Sequence, residues 1–187
     1  KGLIENCRDI ISKEINCQPK HIYFTSSATE SINLAIRGSV ELYYNLKSKD
    51  KALDIPNIIT TPIEHPATLE TLKDLEKKNL IKIKYLPVDM MGMVSPRDLS
   101  EQLDANTILA SVIHVNNEVG TVQNIKDLGR VIYLYNLARE KSGDTSKVLY
   151  HVDACQSLNY FKIDMRSMHI DLLSFNSAKL YGPKGFA

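Results

Sequence analysis

Residues 107–115, Thr-Ile-Leu-Ala-Ser-Val-Ile-His-Val, are apolar at nearly every position. A half-buried strand would alternate polar and apolar residues, and a surface helix would repeat every three to four; this run does neither. It is what a strand needs when helices cover both faces of a parallel sheet. Shorter runs of the same kind occupy 57–61, 148–152 and 171–175, while 81–86 alternates and 22–25 is a brief strand-like run. Between them lie helical patterns. Residues 2–16 carry Leu3, Ile4, Cys7, Ile10, Ile11 and Ile15 at helical spacing, and 66–78 carry Leu69, Leu72 and Leu75. Residues 96–103 and 125–141 are read as further helices. A helix also opens at Ser26-Ser27-Ala28-Thr29-Glu30, where Ser27 and Glu30 have the spacing of a capping box; Gly38 is a candidate for its far side, although the apolar pattern continues through Val40, Leu42 and Tyr43. The polar stretches 48–56 and 142–147 read as loops. Strands that alternate with helices predict an α/β domain, a three-layer sandwich around a mostly parallel central sheet.

A length of 187 residues suits one domain with a sizeable core. A net charge of +1 gives no electrostatic footprint for nucleic acid or an anionic membrane, so neither is expected as a partner. No apolar stretch approaches the ~20 residues of a membrane span, and no apolar region follows Lys1 to make a signal peptide. The three cysteines, Cys7, Cys17 and Cys155, are odd in number and lack CxxC spacing. That argues against a disulfide framework and a zinc site and for a reducing, cytoplasmic compartment. The chain begins at Lys1 on a helical pattern and stops at Phe186-Ala187 after a glycine-rich turn, so a piece of a longer protein is expected.

Open α/β sheets bind ligands at the carboxyl ends of their strands. Five such ends are polar here: Thr25-Ser26-Ser27-Ala28-Thr29, Glu64-His65-Pro66, His114-Val115-Asn116-Asn117-Glu118, Asp153-Ala154-Cys155-Gln156 and Asn176-Ser177-Ala178-Lys179. Each has an ordinary alternative: helix caps for the hydroxyls and Asp153, a loop histidine, a turn for the asparagines, a surface lysine. Together they form one set on one sheet edge. Hydroxyls at a helix N-terminus suit a phosphate, a carboxylate suits a protonated ring nitrogen, a histidine suits a ring face, and an amine suits an aldehyde. Pyridoxal phosphate presents all four features.

The stretches YFTSSATESINLAIRG, IITTPIEHPATLETL, VIHVNNEVGTVQNI, YHVDACQS and DLLSFNSAKLYGPKGFA resemble the cysteine desulfurases, in the class V, fold-type I group of pyridoxal-phosphate enzymes. They follow that family's order and cover nearly the whole chain. The resemblance implies a sheet of about seven mostly parallel strands in the large domain of a fold-type I transferase. It implies that residues 1–187 are this cofactor-binding large domain, that the N-terminal segment and the C-terminal small domain with its catalytic cysteine loop lie outside the chain, and that the chain alone is inactive.

The resemblance also implies roles. Lys179 holds the cofactor as a Schiff base and shuttles the α-proton, and Lys184 is structural. Asp153 pairs with the pyridinium nitrogen, and Gln156 with the ring hydroxyl. His65 stacks on the ring and assists proton transfer, and Asn117 sits near the ring hydroxyl and substrate carboxylate. Ala28, through its N–H, and Thr29 bind phosphate. The implied reaction turns L-cysteine into alanine and an enzyme persulfide, whose sulfur passes to a scaffold or acceptor protein in iron–sulfur or thio-cofactor assembly; the whole protein is expected to be a homodimer. None of the three cysteines matches the attacking one: Cys7 is expected in the core, Cys17 in a loop and Cys155 as small packing.

Two departures stand out. The family usually has Gly at Ser27, and its lysine motif usually carries a serine and a histidine where Asn176 and Ala178 stand. Asn176 retains a donor, and Ser177 is a candidate to contribute another, but Ala178 has none. One lost donor to a phosphate costs ~1.5–3 kcal/mol. A selenocysteine lyase or related β-lyase, and a non-catalytic domain of the same fold, are the alternative readings.

Overall fold

The computed structural model describes residues 2–47 and 54–187. The polar stretch read as a loop over 48–56 lies largely outside the described residues. One sheet holds β1 (Asn57–Thr60), β2 (Lys82–Tyr85), β3 (Thr107–Ile113), β4 (Leu149–Asp153) and β5 (Leu172–Ser174), in the order β2-β1-β3-β4-β5. Every pairing is parallel. The central strand, β3, is buried along its whole length, as its unbroken apolar run requires. The edge strand β2 exposes Lys82 and Tyr85, matching its alternating sequence.

Helices cover both faces. Ile32, Ile36 and Val40 of α2 (Ala28–Lys47) and Leu72 and Leu75 of α3 (Pro66–Lys77) pack with Ile58 and Leu109. Leu99 of α4 (Pro96–Gln102) and Ile125, Leu128 and Ile132 of α5 (Ile125–Lys141) pack with Ile59, Ala110, Val112, Tyr150 and Val152. Successive residues of β1 and β3 thus serve opposite cores, which is the period-two geometry of a strand. The amphipathic α1 (Gly2–Glu14) precedes α2. The loop over 142–147 is pinned by Asp144, whose carboxylate accepts from Arg139 Nε at 2.8 Å.

The structure corrects two expectations. The sheet has five strands among the described residues, where the resemblance implied about seven. Residues 22–25 are extended but form no ladder; only Thr25 pairs, exchanging both backbone hydrogen bonds with Ala187 at 2.9 and 3.0 Å. A strand is defined by its neighbour, and Tyr23, 71% exposed, has none. The apolar pattern that continues past Gly38 is helical: α2 runs on to Lys47, because Ser39 and Val40 are buried and their packing outweighs the weak helix propensity of one glycine.

Candidate active site

All five parallel strands end on the same edge, and four of the polar segments follow β1, β3, β4 and β5 there; the fifth, over residues 25–29, follows the unladdered residues 22–25. Asp153 closes β4 with 2% of its surface exposed. It stands between two neighbours: its carbonyl accepts the His114 N–H at 2.9 Å from the β3 side, and its Cα faces Ser174 of β5. One residue on, Ala154 donates to the Ser174 carbonyl at 2.8 Å. The Asp153 carboxylate accepts the Cys155 N–H at 3.0 Å through Oδ1, so the turn itself orients it. Gln156 follows, half-buried.

Beyond β5 the chain makes a single 3₁₀ turn, Ser177–Leu180. Asn176 caps it by accepting the Lys179 N–H at 3.0 Å through its side-chain oxygen, which leaves its amide N–H₂ to donate elsewhere. Ser177 donates its hydroxyl to the carbonyls of Pro183 and Phe186. Its proton therefore closes the Tyr181–Gly185 turn and is not free for an anion. A Cβ at Gly182 would lie 3.0 Å from Ser177 Cβ, which is why a glycine stands there. Lys179 is exposed on this turn.

The hydroxyl cluster is tied to the lysine turn by main chain: the Ser177 N–H donates to the Phe186 carbonyl, and Ala187 pairs with Thr25. Thr25 Oγ1 lies 2.6 Å from Ser31 Oγ, and Ser27 Oγ accepts the Glu30 N–H at 3.2 Å. The returning arm of the expected capping box is shifted by one residue, since the Glu30 carboxylate accepts the Ser26 N–H at 2.8 Å. The Ser26 hydroxyl donates to the same oxygen at 2.6 Å, and it and the N–H together lower the Glu30 carboxyl. Ala28 and Thr29 begin a helix of 20 residues, so their N–H groups belong to the orphan donors of its first turn.

His65 ends the loop after β1 and caps α3. Its Nδ1 accepts the Ala67 N–H at 3.0 Å, so the neutral ring carries its proton on Nε2. Asn116 is buried; its oxygen accepts the N–H groups of Glu118 and Val119, both at 2.9 Å, and folds the turn that leaves Asn117 exposed. His114 is buried beside the Phe161 ring, at 5.2 Å between centroids, and burial holds its imidazole down to about 4.

The sequence puts Glu64 at a polar strand end but assigns it no role. It is 5% exposed, and its Oε1 accepts the Thr61 hydroxyl at 2.7 Å and the Ile113 N–H at 2.8 Å. Burial pushes its carboxyl up to about 8. Beside a histidine and a proline it looks like a loop residue. The local signal was Thr61 three positions before it; the Ile113 bond is visible only in three dimensions. All three cysteines are partly buried, and burial raises the thiols of Cys17 and Cys155. Cys7 is therefore only partly buried, not a full core residue.

The donor set fits an anionic, ring-bearing ligand with an aldehyde. A helix N-terminus rich in hydroxyls, a buried carboxylate with one oxygen already oriented, and an exposed lysine share one edge.

The aminotransferase class-V family profile matches residues 1–187. The cysteine desulfurase IscS of Azotobacter vinelandii (strain DJ) is 42% identical over 182 residues, covering 97% of this chain and 40% of that protein. The mitochondrial cysteine desulfurase of Candida albicans is 37% identical over 182 residues, covering 97% of this chain and 33% of that protein. Among solved structures, SspA in complex with cysteine matches with a TM-score of 0.82 at 36% identity, covering 98% of this chain and 47% of that one. A NifS-like protein matches with a TM-score of 0.81 at 37% identity, covering 98% and 45%. The chain spans about a third to two fifths of the length of these curated relatives. By the match of the family profile along its whole length, the chain belongs to the aminotransferase class-V family.

Proposed function

We propose that this chain is the cofactor-binding part of a pyridoxal-phosphate-dependent cysteine desulfurase acting on L-cysteine. The observation that carries this reading is the pairing of Asp153 with Ser174: the buried carboxylate ends the strand next to the one from which the chain runs into the turn bearing Lys179. When bound, pyridoxal phosphate supplies an electron sink for charge that develops at the substrate's α-carbon.

The chain's own residues take the following parts. Asp153 would accept a hydrogen bond from the ring nitrogen and hold that proton in place, which favours the charged ring. Lys179 would hold the cofactor through Nζ at its aldehyde carbon, the aldehyde oxygen leaving as water, and would carry the α-proton. His65 would cover the ring and offer its Nε2 for proton transfer. Gln156 and Asn117 orient the ring hydroxyl, and Asn117 also the substrate carboxylate. Ala28 N–H, Thr29 and the Asn176 amide bind phosphate, with Ser177 shaping the turn around it. Sulfur leaves through a cysteine outside this chain, toward a scaffold or acceptor protein of iron–sulfur or thio-cofactor assembly. We take the whole protein to be a cytoplasmic homodimer. No helix among the described residues is long and apolar enough to cross a membrane.

The test is a titration of the full-length protein with pyridoxal phosphate, followed by visible absorption, then borohydride reduction and peptide mapping. The expected result is a saturable band, with the label on Lys179 and no label in Lys179→Ala. Absence of a band at saturating cofactor would overturn the reading. Alanine release from cysteine, compared with selenocysteine, then separates a desulfurase from a selenocysteine lyase.

A further inference from the structure

The β1–β3 ladder stops early. Its last Cα pair is Ile59 with Ala110, and past it the two strands are joined by side chains. Thr60 Oγ1 donates to the Ser111 carbonyl at 3.0 Å. Glu64 Oε1 then accepts both the Thr61 hydroxyl and the Ile113 N–H, and Asn116 Nδ2 donates to the Ile63 carbonyl at 2.8 Å. The loop 61–65 is therefore bolted to the end of β3 at two consecutive residues, Ile63 and Glu64. On one side of these bolts the chain continues to His65, and on the other to Asn117. Thr61, Glu64 and Ile113 are each at most 5% exposed, so water does not compete for these bonds.

We infer that Glu64 is a positioning residue, which fixes His65 relative to Asn117 by clamping the loop after β1 to the end of β3. This rests on the reading of His65 and Asn117 as cofactor contacts. The clamp needs only an acceptor oxygen at Oε1. Oε2 is buried and makes no hydrogen bond among the described residues. Burial holds the carboxyl protonated at neutral pH, so a neutral group of the same shape suffices.

The experiment uses Glu64→Ala, Glu64→Gln and Glu64→Asp in the full-length protein, with His65→Ala alone and combined with Glu64→Ala. Pyridoxal phosphate affinity is read by absorption, and exchange of the Ile113 amide by mass spectrometry. Glu64→Ala is expected to weaken cofactor binding about tenfold and to speed Ile113 exchange. Glu64→Gln keeps both at wild-type values, because the amide oxygen accepts the same two bonds. In the His65→Ala background, Glu64→Ala adds no further loss of affinity, as two residues acting through one contact should not add. Additive losses, or failure of Glu64→Gln to rescue, overturn the proposal. If Glu64→Ala does not fold, Glu64→Asp carries the test, since a side chain one methylene shorter misses Ile113. If wild type binds no cofactor, the functional reading fails separately. The clamp is then decided by Ile113 exchange: unchanged exchange in Glu64→Ala overturns it, and fast exchange rescued by Glu64→Gln supports it.

Discussion

Nε2 of His151 lies 2.9 Å from the hydroxyl of Ser174 on the neighbouring strand. Its Nδ1 lies 2.8 Å from the hydroxyl of Ser111 on the other side. One imidazole thus joins β3, β4 and β5 through side chains, two residues before Asp153 and on the same face of β4. His151, Ser111 and Ser174 are each at most 2% exposed.

This arrangement sets the first prediction. His151→Leu strands two buried hydroxyls, each worth ~1–3 kcal/mol when unpaired. Urea unfolding should show a loss of about 2–4 kcal/mol. Adding Ser111→Ala and Ser174→Ala to His151→Leu should recover much of it, because no polar group is then left unpaired. A triple variant that is less stable than His151→Leu would contradict this account.

The second prediction concerns pH. Burial holds His151 and His114 down to about 4, against an ordinary value of 6.5. The unfolded chain binds these protons first as pH falls, so their contribution is complete above 6.5 and is lost on the way down to about 4. Glu64 has the opposite sign. Its carboxyl is raised from 4.5 to about 8, so its contribution is complete below 4.5 and is lost as pH rises through about 8. Below pH 6.5 the two effects oppose each other; between 6.5 and 8 Glu64 acts without them. Stability should therefore fall from about pH 6.5 to about 8, by up to ~1.4 kcal/mol per pH unit. Glu64→Gln should flatten that limb, as read from urea midpoints. A wild-type profile that rises over this interval would contradict the assignment.

The third prediction is a pair of glycines with opposite signs. Gly38 lies inside α2, and a Cβ added there would meet nothing within 4 Å, so Gly38→Ala should stabilise by about 0.5–1 kcal/mol. Gly129 lies inside α5, but a Cβ there would sit 2.0 Å from the Met168 carbonyl oxygen and 3.2 Å from the Tyr150 ring. Gly129→Ala should destabilise by about 1–3 kcal/mol despite the gain in helix propensity. Thermal unfolding of both variants checks the signs.

The glycine pair also marks what the sequence could reveal. Helices α1, α3 and α5 were legible because their apolar spacing is a local property, as was β3 through its unbroken apolar run. The ends of the strands were legible too, and with them Asp153, His65 and the lysine turn. Contacts made at long range were not. Nothing local says that Gly129 faces Met168, that Glu64 reaches Ile113, or that Ser177 spends its proton on Pro183 and Phe186. Residues 22–25 failed for the same reason, since composition favours a strand but pairing requires a neighbour.

The last prediction addresses the lysine turn. Asn176 uses its oxygen to cap the turn, and Ser177 uses its hydroxyl proton to close it. Of the residues just before Lys179, only the Asn176 amide N–H₂ remains as a side-chain donor toward a phosphate. Ala178 is exposed on that turn, so a longer side chain is tolerated there. Ala178→His should therefore add one donor and tighten pyridoxal phosphate binding about tenfold, the worth of one charge-assisted hydrogen bond. Lys184→Ala, beyond the turn, should leave the affinity unchanged. Both are read by equilibrium titration of the cofactor's visible absorption in the full-length protein. Equal affinities for wild type and Ala178→His would mean that the phosphate is held without help from this turn.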